Sequence, residues 1–330
     1  MTRTHHRTAP PPTGVLVMAH GTPASPAGIE PFYTAIRHGR PPPPELLAEL
    51  ARRYEAIGGT SPLAERTRAQ VDGLAAALES AAPGEFTVRF GAKHTAPSIE
   101  EAIAELAGGG VRRAVGIVLT PHQSSLGSGE YFRRAEAAAT AASPRLTLTP
   151  VPSWHRAEGF AQLLADRTAA ALASLGPEDR TRTAVFFTAH SLPERALAPD
   201  DPYPVQVHES ASDIAAALAL DGVPGLSWGV AWQSAGRTAE PWVGPDLLAE
   251  LERVAGLGAT SVVVCPVGFV SNHLEVLYDL DIEAAGVARG TGMAFARTAS
   301  LNDDPRFLGV LAHTVRAAAR LPEATASSPA

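Results

Sequence analysis

Short apolar strands alternate with amphipathic helices in two successive sets of four, and each set opens with a strand that runs into a histidine. Val15-Leu16-Val17-Met18-Ala19-His20-Gly21-Thr22-Pro23 begins the first set, and Val185-Phe186-Phe187-Thr188-Ala189-His190-Ser191-Leu192-Pro193 begins the second. Both runs are apolar, β-branched or aromatic, which predicts buried parallel strands, and a proline just past each histidine stops them. Further strands are expected at 86–91, 113–119 and 146–151, then at 226–232, 261–266 and 292–297. Helical periodicity covers 44–57, 65–81, 98–107 and 129–142, then 157–175, 206–219, 244–256, 273–285 and 305–319.

That alternation predicts an α/β fold: two similar Rossmann-like lobes, each a four-stranded parallel sheet flanked by helices. The lobes are expected over 13–152 and 153–304, with a C-terminal helix at 305–320 packing back on the first; one eight-stranded barrel is the alternative. Ligands of open α/β sheets bind beyond the C-terminal strand ends, so His20 and His190 are expected to face one cleft.

A net charge of -7 with 18% charged residues describes a mildly acidic, soluble protein and argues against a nucleic-acid partner. The single cysteine, Cys265, sits in the apolar run Val262-Val263-Val264-Cys265-Pro266, so no intrachain disulfide can form and a reducing cytoplasm fits. Residues 1–12 carry basic side chains and prolines but no apolar run, and read as a disordered tail without a signal peptide or membrane anchor. Residues 321–330 read the same way. No apolar helix face calls for a partner, so a monomer is expected.

The chemistry-bearing segment is His273-Leu274-Glu275-Val276-Leu277-Tyr278-Asp279-Leu280-Asp281-Ile282-Glu283. On a helix, Glu275, Asp279 and Glu283 line one face, and a row of like charges needs solvent or a cation to relieve it. A path for a hydrated divalent metal is one reading; a solvated acidic face is the other. His190 could ligate Fe2+ or accept a proton near neutral pH, with Glu275 steadying the imidazolium. An incompletely filled ligand set suits a protein that hands its metal on. Basic groups at Arg37, His38, Arg40, Arg52, Arg53, Lys93 and His94 could bind carboxylates, or serve as scattered solubility charge. Ser61, after Gly58-Gly59-Thr60, could cap a helix or bond an anion, although neither Rossmann glycine spacing nor a Walker lysine is present.

Together with these residues, longer matches carry a family resemblance: Met18-Ala19-His20-Gly21-Thr22-Pro23, Ile36-Arg37-His38-Gly39-Arg40, Arg53-Tyr54-Glu55-Ala56-Ile57-Gly58-Gly59, Ala189-His190-Ser191-Leu192-Pro193-Glu194, Asp201-Pro202-Tyr203-Pro204 and Pro266-Val267-Gly268-Phe269-Val270. From about Gly14 to Arg320 the chain resembles the ferrochelatases, and among them the soluble type of Gram-positive bacteria that metallates coproporphyrin III. The resemblance implies a class II chelatase-like fold and a lyase-type reaction of haem biosynthesis, insertion of Fe2+ into a free-base porphyrin with release of two protons. It implies His190 and Glu275 as the inner metal-binding, proton-accepting pair and Asp279 and Glu283 as outer carboxylates. Arg37, Arg53, Tyr54, Ser61 and Tyr131 fall where the family contacts the macrocycle and its propionates, and Lys93, His94, Trp232 and Gln233 fall near the same cleft. Apolar walls are expected from Phe32, Tyr131, Trp154, Phe269 and Leu277.

Where the Gram-positive enzymes carry tyrosine, this chain has His20, which makes imidazole the implied axial ligand to product iron. The substitution also resembles the strand end of sirohydrochlorin chelatases. Metal choice therefore stays open, as do a chelatase for another tetrapyrrole and a non-catalytic haem carrier, and coproporphyrin III against protoporphyrin IX depends on propionate contacts that the sequence does not show. No organic cofactor is expected, and one cysteine cannot hold a 2Fe–2S cluster.

Overall fold

The computed structural model describes residues 11–236 and 240–321. The tails expected at 1–12 and 321–330 thus fall, apart from residues 11, 12 and 321, outside the described residues.

Among the described residues eight strands form two separate four-stranded sheets, not one eight-stranded barrel. The first holds β1 (Thr13–Ala19), β2 (Phe86–Ala92), β3 (Arg113–Val118) and β4 (Thr147–Val151) in the order β2-β1-β3-β4. The second holds β5 (Thr183–His190), β6 (Leu226–Gln233), β7 (Ser261–Cys265) and β8 (Ala294–Arg297) in the order β6-β5-β7-β8. Every pairing is parallel, with Val15 beside Val88 and Val115, and Val185 beside Trp228 and Val263. In both sheets the chain steps to one side of the leading strand and then to the other. His20 and His190 consequently stand at the two topological switch points, where such sheets open a crevice.

The first lobe's helices are α1 (Ile29–Ile36), α2 (Pro44–Ala56), α3 (Leu63–Ala81), α4 (Ile99–Gly108) and α5 (Ser128–Ala142). Then come α6 (Phe160–Ser174), α7 (Tyr203–Ala217), α8 (Leu247–Gly256), α9 (Leu274–Leu277), α10 (Ala285–Gly290) and α11 (Pro305–Ala319). Local chemistry sets several starts. Ser98 and Glu101 form a capping box on α4, Asp246 accepts the Leu248 and Ala249 amides of α8, and Asp304 accepts the Arg306 amide behind Pro305 of α11. α11 lies against α3, β3 and β4. A continuous core runs between the sheets, joining Val15, Val17 and Leu74 to Trp154, Phe160, Phe187 and Phe307. Each such large apolar side chain contributes about 1.5–3 kcal/mol when fully buried. Among the described residues no helix is long and apolar enough to cross a membrane.

Two expectations need correction. α1 was not anticipated, because Pro31 sits in its first turn, where a missing amide costs nothing. The single helix expected over 273–285 is three pieces: α9, a π-helical segment Asp279–Ala284, and α10. The Glu283 amide reaches back five residues to the Tyr278 carbonyl at 3.0 Å, the signature of the wider turn.

Candidate active site

β5 delivers His190 to the cleft, and the loop after β7 brings Glu275 to meet it. Gly268 allows that approach: a Cβ there would lie 2.7 Å from Ala189 Cβ. His190 Nε2 stands 3.4 Å from Glu275 Oε1, and His273 Nε2 stands 3.4 Å from Glu275 Oε2. His190 Nδ1 donates to the Ser191 carbonyl, which orients the ring, and Tyr203 Oη donates to the His190 backbone carbonyl at 3.0 Å, which fixes the strand end. Side-chain exposures of 33% for His190 and 35% for Glu275 leave both open to the cleft.

Burial disfavours the His190 imidazolium, but the adjacent Glu275 charge outweighs it and raises the pKa to about 9. Burial also works against the Glu275 carboxylate, yet His190 and His273 hold it well below the usual carboxylate range. A base near its titration point was expected; the unliganded protein holds an ion pair instead.

The remaining carboxylates do not repeat this arrangement. Asp279 is only 6% exposed, with Oδ1 3.4 Å from Arg53 Nη1 and Oδ2 2.5 Å from Ser234 Oγ. Burial and then the Glu275 charge raise its pKa to about 6, against the pull of Ser234 and Arg53. Glu283 lies within the π-helical segment, so the straight row implied by i, i+4, i+8 spacing is broken. Among the described residues no three His, Cys, Asp or Glu side chains converge on a metal-binding cage.

Across the cleft, the first lobe presents His20 at the end of β1. Its ring lies 4.7 Å from His94 and 5.7 Å from Phe32, centroid to centroid. Burial lowers the His20 pKa despite the opposing pull of Glu275, and burial with the His20 and Lys93 charges brings His94 down to about 3. Both imidazoles are neutral near pH 7. Gly21 keeps φ at +87° there, and a Cβ would meet Thr95 Oγ1 at 2.4 Å.

The other anticipated contacts divide into groups. Arg37 is half-buried and its Nε is a buried donor without a protein acceptor among the described residues. Arg53 carries its guanidinium carbon 5.0 Å from the Tyr278 ring centre and bonds Glu49 through Nε. Tyr54 is buried against Thr22 Oγ1 at 3.4 Å, Ser61 Oγ accepts the Leu63 amide at 3.2 Å, and Tyr131 lies beneath the Lys93 ammonium, itself paired with Glu130 at 2.6 Å. Beside Lys93 and His94 a depression of about 460 Å³ opens toward His38, Glu130 and Arg134, but it contains neither His190 nor Glu275.

Three side chains expected at or near the cleft, Trp154, Trp232 and Gln233, are buried. Trp154 is 3% exposed between Phe160 and Phe307 and is core, not cleft wall. Trp232, 2% exposed, packs on Tyr203 behind the site. Gln233 is buried beneath it, donating to the Glu275 carbonyl at 3.0 Å and accepting from Thr188 Oγ1 at 2.7 Å. Roles for His273, Ser234 and Tyr203 escaped the sequence reading. Position offered one signal: Ser234 follows β6 next to the His190 strand end, and it holds a strained φ of 61°.

A paired imidazole and carboxylate, facing a neutral imidazole with Arg37 and Arg53 in the same lobe, has the chemistry to meet a cation and an anionic ligand. The profile of the ferrochelatase family matches residues 12–319. The chain belongs to the ferrochelatase family. It is 43% identical to a coproporphyrin III ferrochelatase of Anoxybacillus flavithermus over 92% of this chain and 95% of that one. It is 42% identical to the coproporphyrin III ferrochelatase of Bacillus subtilis over 92% and 96% of the two chains. It is also 39% identical to a ferrochelatase of Herpetosiphon aurantiacus over 91% and 96%. The solved structure of SirB from Bacillus subtilis with Fe3+ shares the fold at a TM-score of 0.56 and 10% identity, covering 94% of this chain and 96% of that one. The two-lobed chelatase architecture is thus established for this ferrochelatase-family chain.

Proposed function

We propose that this protein inserts Fe2+ into coproporphyrin III with release of two protons, a lyase reaction of haem biosynthesis carried out by a cytoplasmic monomer. The observation that carries the reading is the His190–Glu275 pair, open to a cleft whose far side holds His20. The names of the relatives from Anoxybacillus and Bacillus support coproporphyrin III as the substrate.

A planar porphyrin hides its nitrogen lone pairs, so the ring must bend and its inner N–H protons must find a base. Carboxylate-binding arginines, Arg37 and Arg53, anchor the propionates, while Phe32, Phe269 and Leu277 grip the faces. Remote binding energy of about 1–5 kcal/mol can support the bend. Iron reaching Glu275 neutralises the carboxylate that keeps His190 protonated, so His190 sheds its proton to solvent. The neutral ring then accepts one pyrrole proton, passes it to solvent and accepts the second, a general-base contribution of roughly 10²–10⁴-fold. His20, neutral and on the opposite side, is placed to become the axial ligand of product iron.

Anaerobic turnover tests the reading. Coproporphyrin III with Fe2+ should lose its free-base Q bands over many equivalents; a haem carrier would stop at one equivalent, and faster turnover of protoporphyrin IX or with cobalt would reassign the substrate.

A further inference from the structure

We propose that Arg53 is shared between the porphyrin and the iron path, so that a bound porphyrin creates the protein's affinity for iron. This rests on the reading above, in which Arg53 meets a propionate. Both carboxylate oxygens of Asp279 are occupied, Oδ1 by Arg53 at 3.4 Å and Oδ2 by Ser234 at 2.5 Å, and the side chain is 7% exposed. A cation arriving at Asp279 must therefore displace a partner. The neutral Ser234 hydroxyl can turn its oxygen toward a cation, but the Arg53 guanidinium repels one and has to leave.

A propionate supplies the competing acceptor. It carries the same charge as Asp279 and fits the same planar fork. Arg53 is tethered through Nε to Glu49 at 3.3 Å and lies over the Tyr278 ring, so it can turn about a fixed stem without leaving the cleft. Once the guanidinium faces the propionate, Asp279 remains buried near the Glu275 charge with only a hydroxyl to balance it. That is the state in which a divalent cation gains most. By linkage, iron then tightens porphyrin binding by the same factor as porphyrin tightens iron.

Zinc coproporphyrin III has a filled centre and intact propionates, so Fe2+ binding to the full chain can be measured anaerobically at equilibrium without turnover. In the wild type, saturating zinc coproporphyrin should tighten Fe2+ binding by roughly 5- to 150-fold. Arg53→Met should bind Fe2+ more tightly than wild type when no porphyrin is present, with a coupling ratio near one. Arg53→Lys, which keeps the charge without the fork, should give an intermediate ratio. A wild-type ratio of one, or the full ratio preserved in both variants, would overturn the proposal. If free-base coproporphyrin is metallated while the ratio is one, only the coupling fails; if neither porphyrin binds, the reading beneath it fails as well.

Discussion

His190 Nε2 and Glu275 Oε1 face each other at 3.4 Å across the end of the second sheet, and His273 approaches the other Glu275 oxygen at the same distance. One carboxylate thereby balances two imidazoles, and it sets the protonation state of the group proposed as the base. Removing the charge with Glu275→Gln leaves only the Ser191 carbonyl and the Asp279 charge to oppose burial, so the His190 pKa should fall from about 9. Histidine NMR titration reads this directly. Iron insertion should also fall in the same variant, because iron loses the carboxylate beside His190 even though the imidazole is left neutral.

His20→Tyr should retain insertion while altering the absorption spectrum of bound product, because phenolate and imidazole place different fields on iron. An identical product spectrum in the two proteins would mean that His20 does not touch iron.

His122 links stability to pH. It is buried against Ser210 Oγ at 2.9 Å, and burial with the neighbouring His155 lowers its pKa to about 3. Between 6.5 and 3 the unfolded chain binds a proton here that the folded chain does not, so stability falls as pH falls through that window. The slope from this residue is at most about 1.4 kcal/mol per pH unit. Urea midpoints measured from pH 7 to 5 should decline less steeply in His122→Gln, and parallel declines would contradict this.

Trp154 gives a test of core against cleft. Trp154→Ala should destabilise the fold by about 3–5 kcal/mol in urea. Trp154→Phe, which keeps most of the packing, should leave the porphyrin Kd unchanged; a large loss of porphyrin affinity there would return the ring to the cleft.

Much of the fold is legible along the chain because it depends on near neighbours. Short apolar runs mark the eight strands of the described residues, and the shared Ala-His strand ends mark both switch points. What tertiary contacts decide is not legible. The π turn at Asp279–Ala284 is accompanied by Arg297 of β8 gripping Asp281 at 2.6 and 2.9 Å, a pairing that spacing within the helix cannot reveal. Trp154 follows a strand end just as a cleft aromatic would, and it is α6 and α11, bringing Phe160 and Phe307, that make it core. The charge on His190 depends on burial and a carboxylate pulling in opposite directions, which is a matter of distance and not of residue type.

Single-turnover insertion of Fe2+ by His190→Ala, measured beside its equilibrium affinity for coproporphyrin III, tests the proposed role of the imidazole–carboxylate pair most directly. Insertion should be abolished while the porphyrin Kd stays near that of wild type. Wild-type insertion in this variant would show that some other group removes the pyrrole protons.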